Sequence, residues 1–315
     1  MPTVGGADWS PTPWFDGKAV ASRQQVLKKR MTQNKPLLFP IAPLLPILPR
    51  IKIVDVGAMI LEEGAEPYAE LMKALPCDLY GFEPVAAEFE KLKAQAKPGH
   101  HYLPYFIGDG TRRTFYECNY TMTSSLFEPN TPLLAKFQNL EELVRVEKTY
   151  PVETKRLDDI PELKGTDLLK VDVQGAELLV FEGASNILDD VLVVHTEVEF
   201  VSLYKNQPLF GDIDVHMRSK GFALHQILPV SRVFKPLIFN NDINAGLSQI
   251  LWGDAVYVRD FMSLELLPRN SLLKLAAILH ENYRSVDMAA AVLAIYDQQN
   301  GSSLQQTYIQ KLMAG

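Results

Sequence analysis

The sequence predicts an α/β fold: a mostly parallel sheet buried on both faces, followed by a small helical appendage. From Ile51 to Asp260 short apolar runs alternate with longer helical patterns, the signature of consecutive βαβ units. The runs are close to continuously apolar, as strands covered on both sides must be. Beyond about Leu264 the character changes to Ala/Leu-rich helical spacing.

Composition sets the bounds. The 315 residues carry 47% hydrophobic side chains, enough for one sizeable core, and a net charge of -7. With 38 acidic against 31 basic residues there is no electrostatic footprint for a polyanion, so no nucleic-acid partner is expected. The two cysteines, Cys77 and Cys118, form neither a C-x-x-C pair nor a cluster at metal-ligand spacing, which fits a reducing, cytoplasmic setting. No secretory signal opens the chain. The early apolar stretch "PLLFPIAPLLPILP" is interrupted by prolines and cannot span a bilayer as a helix. It reads as an extended segment packed on the domain behind it, with a membrane-surface or partner contact as the alternative. The expected organisation is an N-terminal extension over 1–48, a catalytic domain over 49–261 and the helical appendage over 262–315.

The strands, in order, are "IKIVDVG", "DLYGFEP", "YLPYFIG", "DLLKVDV", "VLVVHTEVEF", "FALHQIL" and "DAVYVRD". Helical patterns lie between them in "EPYAELMKAL", "VAAEFEKLKAQA", "AELLVFEGASNIL" and "GDIDVHMRSKG". The stretch "RRTFYECNYTMTSSLFEPN" breaks the rhythm before "TPLLAKFQNLEELVRVE" and predicts a loop or hairpin over one face. The tail, "NSLLKLAAILHENY", "SVDMAAAVLAIYDQQN" and "SLQQTYIQKLMAG", predicts two or three helices that either cover the sheet or pair two copies of the chain.

In open α/β sheets ligands bind beyond the carboxyl ends of the strands. Here those ends are acidic. The first strand closes on Asp55 and Gly57, then Ala58 and Met59, with Glu62, Glu63 and Glu66 beyond. A dinucleotide pyrophosphate needs bare N–H groups and would be opposed by those carboxylates. S-adenosylmethionine, with a sulfonium, an ammonium and no phosphate, suits them. The second strand ends at Glu83 before Pro84, where a carboxylate accepts hydrogen bonds from a ribose diol. Asp109, between two glycines in "FIGDGTRRT", is either a turn residue or an acceptor for an adenine amine.

The fourth strand is the most informative. In "DLLKVDVQGAELLVFEGA", Lys170 and Asp172 interrupt an apolar run, and buried charges are costly unless paired. A structural ion pair or an active site explains them. On the fifth strand His195, Glu197 and Glu199 recur at period two and so share a face. With Asp172 they make either a general base or a hard-metal site; His195 or Glu197 is placed to take a proton from an acceptor hydroxyl.

Taken in order, "VDVGA", "GFEP", "SSL", "LLKVDVQGAELLVFEGA" and "EVEFVSLY" followed by "GF" resemble the FkbM family of S-adenosylmethionine-dependent methyltransferases, over about Ile51 to Val258. The resemblance implies a class I methyltransferase (Rossmann-like) fold, a seven-stranded sheet whose last strand inserts antiparallel beside the sixth. It implies S-adenosylmethionine as cofactor, with Asp55 and Gly57 at the methionine end, Glu83 at the ribose, Asp109 at the adenine, Asp172 near the methyl group, and Ala58 and Pro84 also cofactor-binding. Ser124 and Ser125 match the family's serine pair; the alternative is a simple turn. Two departures stand out. The glycine that closes the first loop is displaced to Gly64 or lost, leaving Pro67 and Tyr68 to shape the loop. Gln174 stands where the family often has Glu and cannot act as a base, which shifts the catalytic assignment to Asp172, His195 and Glu197. The implied reaction is O-methylation of a hydroxyl on a small-molecule or glycan acceptor. A non-catalytic adenosyl-binding scaffold is the alternative, no resident metal is assigned, and a homo-oligomer through the C-terminal helices is open.

Overall fold

A computed structural model describes residues 39–60 and 66–314. The expectations attached to Glu62, Glu63 and Gly64, and to the chain before Phe39, fall outside the described residues.

In chain order the strands are β1 (Ile51–Val56), β2 (Cys77–Phe82), β3 (His100–Leu103), β4 (Arg112–Cys118), β5 (Val146–Glu153), β6 (Leu168–Val171), β7 (Val193–Glu199), β8 (Phe222–Ser231) and β9 (Ile250–Arg259). The helices are α1 (Ala69–Ala74), α2 (Ala86–Ala94), α3 (Thr131–Leu134), α4 (Leu140–Leu143), α5 (Glu177–Glu182), α6 (Phe210–Ser219), α7 (Arg269–Glu281), α8 (Val286–Asn300) and α9 (Leu304–Ala314). Seven strands form one sheet in the order β3-β2-β1-β6-β7-β9-β8. β9 runs antiparallel between β7 and β8, and the remaining pairs are parallel. This is the mostly parallel seven-stranded sheet, last strand inserted beside the sixth, that the motifs imply. The order reverses between β1 and β6, so the exits of those strands open the crevice where a ligand fits.

Each face of the sheet has its own core. One gathers Ile51, Ile53, Leu168 and Val193 with α1 and the C-terminal helices, through Leu71, Leu272, Ala276, Leu293 and Tyr308. The other gathers Val54, Val56, Leu169, Val171 and Val194 with Val180, Phe181, Ile213 and Met217 of α5 and α6. The C-terminal helices thus lie on the sheet as one of its two covering layers. Phe39 and Ile41 are drawn into that layer: His280 bonds the Phe39 carbonyl at 2.7 Å and the Tyr308 hydroxyl at 2.8 Å, and the Ile41 N–H donates to Glu281 at 2.7 Å.

The inserted stretch is more ordered than its sequence suggests. β4 pairs antiparallel with β5, and the stretch between them carries two single helical turns, α3 and α4. Asn139 in the left-handed region separates those turns, and the Val/Thr/Tyr content of β5 favours a strand. No described helix is long and apolar enough to cross a membrane.

Candidate active site

Strand alternation places Ile51, Ile53 and Asp55 on one face of β1, with Leu168 and Lys170 of β6 and Val193, His195, Glu197 and Glu199 of β7 beside them. Register sets Asp55 next to Lys170, Lys170 next to His195, and Glu197 opposite Asp254 of β9. The face is therefore apolar at the start of the strands and charged at their ends. Asp55 (4% exposed) and Lys170 (9%) are too buried to be left unpaired. They form an ion pair at 3.0 Å, Lys170 also donates to the Gly57 carbonyl at 3.0 Å, and the Tyr68 hydroxyl donates to the second Asp55 oxygen at 2.7 Å. Burial disfavours the Lys170 ammonium, but Asp55 and then Asp172 more than offset it and hold its pKa above the ordinary lysine value. Burial and the Asp55 charge keep the Tyr68 phenol protonated, as a donor.

The exits of β1 and β6 touch. Gly57 sits at φ +81°, and a Cβ there would meet the Asp172 carbonyl oxygen at 2.0 Å, so glycine alone fits. The Asp172 N–H donates back to the Val56 carbonyl at 3.0 Å. The chain then turns through Gln174 and Gly175, both with positive φ. Gln174, in the position where a base would be lost, instead links carboxylates: its amide donates to Asp172 at 2.8 Å and to Glu197 at 2.6 Å. Ser125 fixes the same turn by donating to the Gln174 carbonyl at 2.7 Å. Glu177 accepts the N–H groups of Val173 and Gly175 at 2.9 and 3.2 Å at the start of α5.

Asp172, Glu177 and Glu197 bring carboxylate oxygens within 4.8 Å of one another. The Gln174 amide and the two backbone donors already serve those oxygens. Burial, and then the negative charge of Glu177, Glu197 and Asp172, raises Glu199 well above the ordinary carboxylate range, so this corner holds protons.

One cavity joins these parts. Its lining includes Asp55, Gly57, Glu66, Glu83 and Asp172, and an apolar wall of Tyr105, Phe106, Ile107 and Phe115. Glu83 is 6% exposed and accepts the Val85 N–H through one oxygen at 2.6 Å. Burial pushes its pKa up to about 7, with Glu88 and Asp55 adding to the rise against the Val85 bond. The same lining also includes His195, Glu197, Leu228, Asp254, Tyr283 and Arg284.

Of the residues singled out in the sequence, Asp55, Gly57, Glu83, Pro84, Ser124, Ser125, Asp172, His195 and Glu197 line this cavity. Ala58 does not: it is buried behind it, its N–H bonded to the Phe82 carbonyl at 2.9 Å. Asp109 also lies outside the lining. Its carboxylate accepts the Thr111 N–H and hydroxyl at 3.1 and 2.7 Å and pairs with Arg113. Its own partial burial opposes ionisation, but Arg113 and Thr111 prevail and hold it below the usual carboxylate range. That is the turn alternative. Ser124 accepts the Cys118 N–H at 3.0 Å while facing the cavity.

Sequence reasoning missed Asp254, Tyr283 and the apolar wall. An acid heading the apolar run "DAVYVRD" was a readable signal for Asp254; nothing local marks Tyr283, which tertiary packing brings in from beyond α7.

The methyltransferase FkbM domain model matches residues 55–224. Similar solved structures include magnesium protoporphyrin IX methyltransferase from Synechocystis PCC 6803 with bound SAM (11% identity, 80% of this chain and 87% of that one, TM-score 0.38). They also include a putative methyltransferase from Thermoplasma acidophilum (7%, 68% and 70%, TM-score 0.35) and a putative RNA methyltransferase from Pyrococcus horikoshii (14%, 77% and 84%, TM-score 0.32). No curated protein sequence matches the chain.

Proposed function

The chain belongs to the FkbM methyltransferase family, and on that premise we propose that it transfers the methyl group of S-adenosylmethionine to a hydroxyl on a sugar or natural-product acceptor. The observation that carries the cofactor is the ring of carboxylates, Asp55, Glu66, Glu83 and Asp172, lining one cavity at the switch point. Lys170, paired with Asp55, and Arg284 are the cations of that lining; carboxylates outnumber them, which favours a cationic ligand over a pyrophosphate. The residues fit the group: Gly57 lets the exits of β1 and β6 meet at the cavity, Glu83 keeps one carboxylate oxygen clear of the Val85 bond for a ribose diol, and Phe106, Ile107 and Phe115 offer an apolar wall to an adenine.

When bound, the cofactor supplies an electrophilic methyl carbon whose bonding electrons stay on sulfur as it leaves. The protein's part is positioning, since such a displacement needs the acceptor oxygen held in line at about 3 Å and little covalent help. Asp172, His195 and Glu197 are the proposed catalytic groups, because a hydroxyl losing its proton during transfer needs both an acceptor and polar groups that orient it. The Gln174 amide holds the Asp172 and Glu197 carboxylates in place. Within this proposal residues 49–261 form the catalytic domain.

The test is calorimetry with S-adenosylmethionine, S-adenosylhomocysteine and NAD, alongside a Glu83→Ala variant. The reading requires binding of both sulfur nucleosides, weakened in the variant; preferential binding of NAD, or of none, overturns it.

A further inference from the structure

Tyr283, in the turn beyond α7 and outside the family match over 55–224, is buried with its hydroxyl 3.4 Å from His195 Nδ1. On the far side of the ring, His195 Nε2 faces Asp254 Oδ1 at 3.7 Å. Both ring nitrogens are thus addressed, one by a phenol and the other by a carboxylate. A neutral imidazole has one proton to place. On Nδ1 it would turn the Nε2 lone pair toward the Asp254 carboxylate, a repulsive contact. On Nε2 it faces that carboxylate, while Nδ1 accepts from Tyr283. Burial and then the Asp254 charge hold the phenol protonated against the pull of Asn282, so Tyr283 has a proton to donate.

Resting on the proposed methyl transfer, we infer that Tyr283 is a positioning residue that fixes His195 as the Nε2–H tautomer, so that Asp254, and not His195, presents the proton-accepting atom to the acceptor. The exposures agree: the Asp254 side chain keeps 23% of its surface against 7% for His195. The hydroxyl proton passes to an Asp254 carboxylate oxygen, and the electron pair left on the hydroxyl oxygen forms the bond to the transferred carbon. His195 keeps its proton on Nε2, facing the Asp254 carboxylate. The C-terminal helices, besides covering the sheet, thereby complete the acceptor end of the site.

Two-bond 1H–15N spectra of histidine-labelled protein at about pH 8, above the ordinary imidazole range, read the tautomer directly. The chain has six histidines, and His195 is assigned by the signals lost in His195→Gln. Wild type is expected to show a pyridine-type Nδ1 and a pyrrole-type Nε2. In Tyr283→Phe the tautomer ratio should fall by about tenfold, the scale of one net hydrogen bond, with S-adenosylmethionine affinity by calorimetry unchanged. Asp254→Asn should shift the ratio the same way from the other nitrogen. An Nδ1–H tautomer in wild type overturns the inference without any variant, and so does a wild-type ratio in both variants. Failure of wild type to bind S-adenosylmethionine would instead sink the cofactor reading, a separate result from the tautomer.

Discussion

The two faces of the central sheet are made from alternate residues of the same strands and differ in one respect. Val54, Val56, Leu169, Val171 and Val194 give one face an apolar surface to the ends of its strands, packed on α5 and α6. The other begins with Ile51, Ile53, Leu168 and Val193 and changes at mid-length to Asp55, Lys170 and His195, under Tyr68 and Tyr283. One face is core throughout; the other is core below and site above. Burial is similar on both, so what distinguishes them is how each buried atom is partnered.

The largest expected difference is therefore in what a truncation leaves behind. Lys170→Ala strands the buried Asp55 carboxylate with only the Tyr68 hydroxyl bond and should cost about 3–5 kcal/mol in urea denaturation. Leu169→Ala, its neighbour on the other face, leaves a cavity worth about 2–5 kcal/mol. The magnitudes overlap, but their rescue separates them. Adding Asp55→Asn to Lys170→Ala should recover part of the loss, because the stranded charge is gone, whereas Asp55→Asn added to Leu169→Ala should only deepen it. Equal loss in both double variants would show that Lys170 acts as packing and that the two faces are alike.

How much of this was legible in the sequence follows from the same division. Period two and apolar runs reveal strands whatever they face, so six strands of the main sheet, and the shared face of His195, Glu197 and Glu199, could be read locally; the third, expected over "YLPYFIG", lies earlier at His100–Leu103 and shares only Tyr102 and Leu103 with it. Asp55, Glu83 and Asp172 stood out because charge at the end of a buried run is costly. Asp109 reads two ways because a turn between glycines and a ligand contact use the same residues, and its pairing with Arg113 depends on β4, which no local pattern places beside it. Tyr283 was invisible: a tyrosine ending an Ala/Leu-rich helix looks like cover, and its meeting with His195 depends on how α7 docks. The β4–β5 pair was half read, since its second strand follows residues with helical spacing.

Next in size is cofactor affinity. Glu83→Ala removes the proposed ribose acceptor and should weaken S-adenosylmethionine by about 10- to 100-fold, equivalent to about 1.5–3 kcal/mol for hydrogen bonds to a charged group. Leu79 of β2, the strand that leads to Glu83, gives the contrast: Leu79→Val, a substitution in the apolar core outside the cavity lining, should change stability more than affinity. A Glu83→Ala protein that binds S-adenosylmethionine as well as wild type would move the ribose away from the end of β2.

The smallest effect is the most specific. Burial raises the Glu83 pKa to about 7, above its unfolded value near 4.3. Between those values the folded chain binds more protons at this site than the unfolded chain, so this group's contribution to stability falls as pH rises, and the loss is complete above about 7. Ligand binding runs the opposite way. A ribose diol donates to an ionised carboxylate, so affinity for S-adenosylmethionine should climb by about tenfold from pH 6 to pH 8, the range over which a group with that pKa ionises. Glu83→Gln, of the same shape and without the proton, should abolish both trends relative to wild type while keeping the Val85 bond. If the affinity slope persists in Glu83→Gln, another cavity group sets it, and the charged half of this face is coupled to the cofactor through a different carboxylate.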